Sequence, residues 1–478
     1  MSKNFIKQQL LAWATILVIT LTACTSDTQL TVNNAIKISI DKNISLEQVT
    51  QDVAYLASNE LNGRGNFTQD INKAAQYIGK RFNEVGLIPA QNTVNFQQSY
   101  KITTTKPSSL SVIINGNKLT NNILTMASNI EDFSWNKTTE GLSIHIIDQA
   151  DDMRKALTAI NQQGGKQFVL LHPSHKKSFK HYQGYFSAGL TKLTNEEQNI
   201  EGTLIIALTD ITKITHLSVE AKNELTETTI SNVVGILPGK SKADEIILYS
   251  AHYDHLGGIA QKHDNRQITF SDNNDGHRNI GKAIYNGADD DASGVSAIIN
   301  LANHFKITNN HERTLMFAAF SAEEIGGFGS KHFATQVEAK SITAMINIEM
   351  IGKPAKFGEG TVWMTGMERS NLGEQLNFTL KHFGTEIYAD PYPEQRLFYR
   401  SDNATLARLG VPAHSFSSTQ LDKDKHYHQV TDDISSLNLK SMRAVIKTLA
   451  IGTTSLNNGS ITPSRIDPNL VTKKGLIY

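Results

Sequence analysis

Four short apolar runs fix what the second half of the chain can become. Val233 to Leu237, Ile246 to Tyr249, Thr314 to Phe320 and Met345 to Ile348 are each bounded by polar or turn residues. Between the second and third lies a helical stripe of Val295, Ile298, Ile299, Leu301, Ala302 and Phe305. From Ser231 the order reads strand, strand, helix, strand, helix, strand, helix. That alternation predicts an α/β fold with a mixed, mostly parallel central sheet flanked by helices. Ligands then belong at the carboxyl ends of the strands. His252, Glu323 and Glu349 each come just after an apolar run.

The stretch from Tyr249 to Asp291 carries the densest chemistry. The second run ends in His252-Tyr253-Asp254-His255. Side chains alternate faces along a strand, so His252 and Asp254 point the same way. A histidine and a carboxylate in that relation suit a metal ligand and its neighbour. Further on, Asp289, Asp290 and Asp291 stand together on a turn that opens at Gly287. Three adjacent like charges repel unless cations sit among them.

The blocks HYDHLG, NGADDDASG, SAEEIGGFGS, NIEMIG and HYHQVTDD, in this order, resemble the M28 family of zinc aminopeptidases. The matched stretch runs from Ser231 to Asn438, with a weaker match at Leu61 to Pro89. The resemblance implies a fold of the zinc-exopeptidase type and two Zn²⁺ per chain. Its metal ligands would be His252, Asp290, Glu324, Glu349 and His428, with Asp290 bridging the two ions. Hard carboxylates in such a set also admit Mn²⁺ or Co²⁺. Glu323 would be the general base, and Asp254 would hold the second ring nitrogen of His252. Asp289 and Asp291 read as local backbone hydrogen bonders. The substrate would be a peptide, its free α-amine placed near the second metal so that cleavage stops at the first residue.

Three departures from the family pattern stand out. Glu349 takes the place of the usual aspartate, adding one methylene between backbone and oxygens. His426 stands where an acid is common, which leaves His426 as an alternative to His428. Asn403 replaces the histidine that usually follows Ser-Asp. Arg396, Tyr399 and Arg400 either line the substrate cleft or decorate the surface. Two relatives of other function share the fold: a one-zinc glutaminyl cyclase, and peptidase-like binding proteins that have lost ligands. The complete ligand set argues against both.

The remainder is organised around this domain. Lys3 and Lys7 precede an apolar run from Leu10 to Leu21, too short to span a membrane comfortably, and Leu21-Thr22-Ala23-Cys24 follows. The stretch resembles a bacterial lipobox, implying an exported lipoprotein held at the outer membrane, facing the periplasm, by lipid on Cys24. The expected boundaries are a signal peptide at 1–23, a tether at 24–43, N-terminal helices at 44–99, an inserted β-rich domain at 100–229, the metallopeptidase-like domain at 230–455 and a tail at 456–478. Ser45 should cap a helix, with Gln48 three residues on. The insertion resembles a protease-associated domain in position and strand content. Cys24 is the only cysteine, so an internal disulfide is excluded. With 46 basic and 46 acidic residues the chain is neutral, and nothing points to nucleic acid as a partner.

Overall fold

The apolar runs fold as strands covered on both faces, which is why they show no polar alternation. In the computed structural model, residues 35–194, 202–258, 283–473 and 475–478 are described. The apolar run before Cys24, and Cys24 itself, lie outside the described residues. Among the described residues, no helix is long and apolar enough to cross a membrane.

The principal strands are β1 (Gln97–Ile114), β2 (Leu124–Ser128), β3 (Leu142–Ile147), β4 (Gly165–Leu171), β5 (Gly202–Leu208), β6 (Leu217–Leu237), β7 (Lys242–His252), β8 (Arg313–Phe320), β9 (Ile342–Ile348), β10 (Val362–Met364), β11 (Ile387–Ala389) and β12 (Ala413–Ser417). The central sheet runs β11-β10-β12-β9-β7-β8-β6-β1. Its middle is parallel: β7 pairs with β8 and with β9, and β9 with β12. β6 joins β8 antiparallel, so the sheet is mixed as expected.

Period-two alternation sorts the middle strand between two cores. Ile247 and Tyr249 face a cluster built with helices Leu46–Leu56, Gln69–Val85, Gly294–Thr308 and Leu439–Gly452. Leu248 faces the opposite cluster, which holds Phe333 and Leu406. The helix caps follow the sequence signals. Ser45 Oγ accepts from Gln48 N at 3.1 Å. Gly86 closes Gln69–Val85 in the left-handed conformation.

Part of the expected tether is folded. Residues 35–43 form a helix. Ile40 is buried against the core, and Asp41 pairs with Arg443 and Lys447. The isoleucines at 36, 40 and 44 recur every four residues, a sparse helical stripe inside a polar segment.

The insertion is α/β, not merely β-rich. β3, β4 and β5 are parallel, with β2 antiparallel at the edge. Helices Met153–Gln163 and Lys176–Ser187 pack against them through Leu157, Ile160, Phe179 and Phe186. β1 and β6 pair antiparallel from Val233 opposite Gln97 to Leu217 opposite Ile114, and this long ladder links the insertion to the central sheet. The tail is anchored too: Asn161 donates to the Tyr478 carbonyl at 2.8 Å and accepts from Ile477 N.

Candidate metal centre

Three strand ends and two loops bring the site together. His252 is the last residue of β7 and Glu349 follows β9 directly. Glu323 and Glu324 come shortly after β8, Asp290 sits in the turn before helix Gly294–Thr308, and His428 lies in the loop after β12.

The five expected ligands converge. Asp290 divides its carboxylate: Oδ1 is 3.1 Å from His252 Nε2, and Oδ2 is 3.2 Å from His428 Nε2. Glu349 Oε1 completes the first group, 3.3 Å from His252 Nε2. Glu324 Oε2 completes the second, 3.3 Å from His428 Nε2. Donor atoms around a tetrahedral zinc stand about 3.3 Å apart. The nitrogens and oxygens therefore have the chemistry and spacing of two cation pockets sharing one carboxylate.

The electrostatics agree. Burial disfavours a charged imidazole, but at His252 the Glu349 and Asp290 carboxylates outweigh it and hold the pKa well above the ordinary value. Burial at His428 is likewise overcome by Asp290 and Glu324, which lift the ring to about 10. Burial would raise Asp290, yet hydrogen bonds from the two histidines hold it well below the carboxylate range. Such a concentration of negative potential suits positive ions.

The turn that carries Asp290 is fixed by its neighbours. Gly287 has φ 56°, and a Cβ there would collide with the Asp290 carbonyl and the His255 ring. Asp432, fully buried, accepts from Asp289 N and Asp290 N at 3.1 Å. Asp289 and Asp291 are backbone bonders, as expected. Asp289 Oδ1 accepts from Gly352 N at 2.7 Å, and Asp291 Oδ1 from Gly294 N at 3.0 Å and Met350 N at 3.1 Å. They tie the turn to the segment after Glu349. Lys353 lies 3.3 Å from Asp289 and 2.9 Å from Asp424, a half-buried counter-charge behind the turn.

Asp254 has a different task from the one expected. β7 ends at His252, so strand alternation no longer governs the direction of its side chain. The His252 Nδ1–H bonds the Asp254 backbone carbonyl at 3.0 Å, whereas the carboxylate stands 3.8 Å away. The carboxylate instead accepts from Glu323 N at 3.0 Å, Glu324 N at 3.2 Å and Asn66 Nδ2 at 2.7 Å. It orients the Glu-Glu pair. Burial raises the Glu323 carboxyl well above its usual range.

His255 is a site residue that the sequence reading missed. Its Nδ1 lies 2.8 Å from Glu324 Oε1 and 3.8 Å from Asp290 Oδ2. His255, Asp290 and Glu324 form a second donor group beside His252, Asp290 and Glu349. The only signal was its place three residues after His252. His426 turns away, its Nδ1 2.9 Å from the Thr431 carbonyl. Asn403 is buried and structural, donating to Phe398 O and accepting from Ser415 Oγ. Ser401 donates to Glu349 Oε2 at 2.6 Å, leaving Oε1 for His252. Arg400 is exposed and donates to Tyr427, whose ring stacks on His428.

Fold and site together define an α/β domain with histidine–carboxylate donor groups that share Asp290 at the carboxyl ends of its parallel strands. Residues 232–451 match the model of Peptidase family M28. Leucine aminopeptidase 1 of Neurospora crassa is 30% identical over 166 residues, 33% of this chain and 41% of the relative. Aminopeptidase Y of Saccharomyces cerevisiae is 30% identical over 173 residues, 32% of this chain and 30% of the relative. The chain thus spans less than half the length of these curated relatives. Among solved structures, an aminopeptidase from Aneurinibacillus sp. strain AM-1 shares the fold with a TM-score of 0.50 at 16% identity, covering 91% of this chain and 98% of its own.

Proposed function

We propose that the protein is a zinc-dependent aminopeptidase that hydrolyses N-terminal residues from peptides. The observation that carries this reading is the division of the Asp290 carboxylate between two donor groups, His252 with Glu349 and His428 with Glu324. The match to Peptidase family M28 and the aminopeptidase names of the relatives agree with it. His252, Asp290 and Glu349 would hold one Zn²⁺, and Asp290, Glu324 and His428 the other. Bound divalent ions supply Lewis-acid polarisation of a scissile carbonyl and a lowered pKa for water.

The chain's own residues do the rest. The Asp254 carbonyl accepts from His252 Nδ1–H, which orients the ring and places Nε2 beside the Asp290 and Glu349 oxygens, where a bound cation would take its lone pair. The Asp254 carboxylate positions Glu323 and Glu324 through their amides. Glu323 takes a proton from the attacking water and returns it to the leaving amine. Glu323→Gln is expected to keep its zinc and to lose about 10²–10⁴ in kcat on aminoacyl-nitroanilides. Full activity in that variant removes Glu323 from the role. Zinc content separates this reading from a one-zinc cyclase: two ions per chain support it, and one overturns it.

Lipidation of Cys24 and an outer-membrane location facing the periplasm belong to the same proposal. The support is the lipobox-like Leu21-Thr22-Ala23-Cys24. Incorporation of a palmitate analogue that is lost in Cys24→Ala is the expected result. Label persisting in that variant excludes this anchor.

A further inference from the structure

Arg64, in the loop Leu61-Asn62-Gly63-Arg64-Gly65-Asn66, stands 189 positions before Tyr253, yet the loop is threaded into the site. Asn62, Gly63 and Arg64 have φ values of 43°, 71° and 49°, so the loop turns sharply inward. A Cβ on Gly63 would collide with the Tyr285 carbonyl, which shows how closely the two backbones approach. His255 N donates to the Arg64 carbonyl at 3.2 Å.

Arg64 is fully buried and faces carbonyl oxygens rather than an acid. Nε donates to Tyr253 O at 2.8 Å, between His252 and Asp254. Nη1 donates to Leu56 O at 2.5 Å and Asn286 O at 2.6 Å, and Nη2 to Gly287 O at 2.9 Å. Leu56 ends a helix, where carbonyls lack helical partners and a cation is favoured. Asn286 and Gly287 open the turn that carries Asp290. One rigid guanidinium, with four of its five N–H bonds engaged, therefore joins the backbones that present His252 and Asp290. Burial lowers its pKa, while Asp290, Asp254, Asp432 and Asp291 act to raise it. Two residues on, Asn66 donates to Asp254 Oδ2, the carboxylate that holds Glu323 and Glu324.

We infer that Arg64 and Asn66 are positioning residues of the metal centre. Arg64 sets the separation of His252 from Asp290, and Asn66 sets the aim of the Glu323–Glu324 pair. The N-terminal segment is thereby part of the working site. A lysine offers three donors on a flexible stem and cannot span the four carbonyls.

The inference rests on the zinc reading, and the test separates the two. Zinc affinity of the full soluble chain is measured by competition with a chromophoric chelator, alongside the absorption of the Co²⁺ form. The wild type is compared with Arg64→Lys, Arg64→Met and Asn66→Ala. Loss of an outer partner of metal ligands lowers affinity about 10–100-fold. Arg64→Met and Asn66→Ala are each expected to raise the zinc Kd at least about tenfold with circular dichroism unchanged. Arg64→Lys should fall between them and the wild type. A purely structural role would lower the melting temperature and leave the Kd of the folded protein alone. Should Arg64→Met fail to fold, Asn66→Ala and Arg64→Lys decide. Wild-type Kd, within twofold, in the folded variants overturns the inference while the metal reading stands. A wild type that binds no zinc overturns both.

Discussion

Replacing Asp432 by asparagine tests whether the Asp290 turn is held from behind. The Asp432 carboxylate is buried and accepts two amides, Asp289 N on both oxygens and Asp290 N on Oδ2, each at 3.1 Å. A hydrogen bond to a charged group is worth about 1.5–3 kcal/mol. Asparagine keeps one acceptor oxygen and turns an NH₂ toward the other amide. One bond is lost and a buried donor is left facing a donor. Relief of repulsion with Asp289 offsets part of this. The expected net loss is roughly 2–4 kcal/mol. Urea unfolding at pH 8 should show a lower midpoint and an unchanged slope. Because Asp290 moves with its own amide, zinc affinity should fall about 10–100-fold as well. A variant within about 0.5 kcal/mol of the wild type, with unchanged zinc affinity, would refute the claim that Asp432 fixes the turn.

Ser401→Ala removes the hydroxyl that occupies Glu349 Oε2. It should weaken zinc binding about tenfold with little change in stability, read by chelator competition. Chelation should lower the melting temperature, because ligand present at about 1,000 times its Kd stabilises the folded state by about 4 kcal/mol; identical melting with and without chelator would count against bound metal. His414 supplies a pH test away from the centre. Burial lowers its pKa to about 4, with Nδ1–H on Thr365 O and Nε2 facing Ser370 Oγ. The unfolded chain binds that proton near pH 6.5, so His414 costs nothing above this pH. Stability falls as pH drops from about 6.5 to 4, by roughly 3 kcal/mol in total. His414→Gln should flatten part of that slope in urea titrations.

The central strands were legible because residues buried on both faces leave continuous apolar runs, and strand ends then located His252, Glu323 and Glu349. The ligand set came from five ordered blocks, and their convergence is what the structure adds. Less was readable where partners are remote in sequence. Asp289 and Asp291 read correctly as backbone bonders, but nothing local indicated Gly352 or Met350 as donors. Asp254 was misassigned because alternation was carried past the end of the strand. The 35–43 helix was hidden because its apolar stripe is only one residue wide. Arg64 fell inside the weaker match at Leu61 to Pro89, but its partners were not readable, since carbonyl acceptors leave no trace in composition.

The paired strands β1 and β6 have a practical consequence. Residues directly opposed across an antiparallel ladder stand about 5 Å apart, a gap that a two-residue turn closes. Thr103 faces Glu227 in this way. An Asn-Gly link between them would short-circuit the chain, discarding everything between without crossing another segment. The ladder is thus a built-in excision point, and a trimmed chain cut there would ask directly what the outlying sheet contributes.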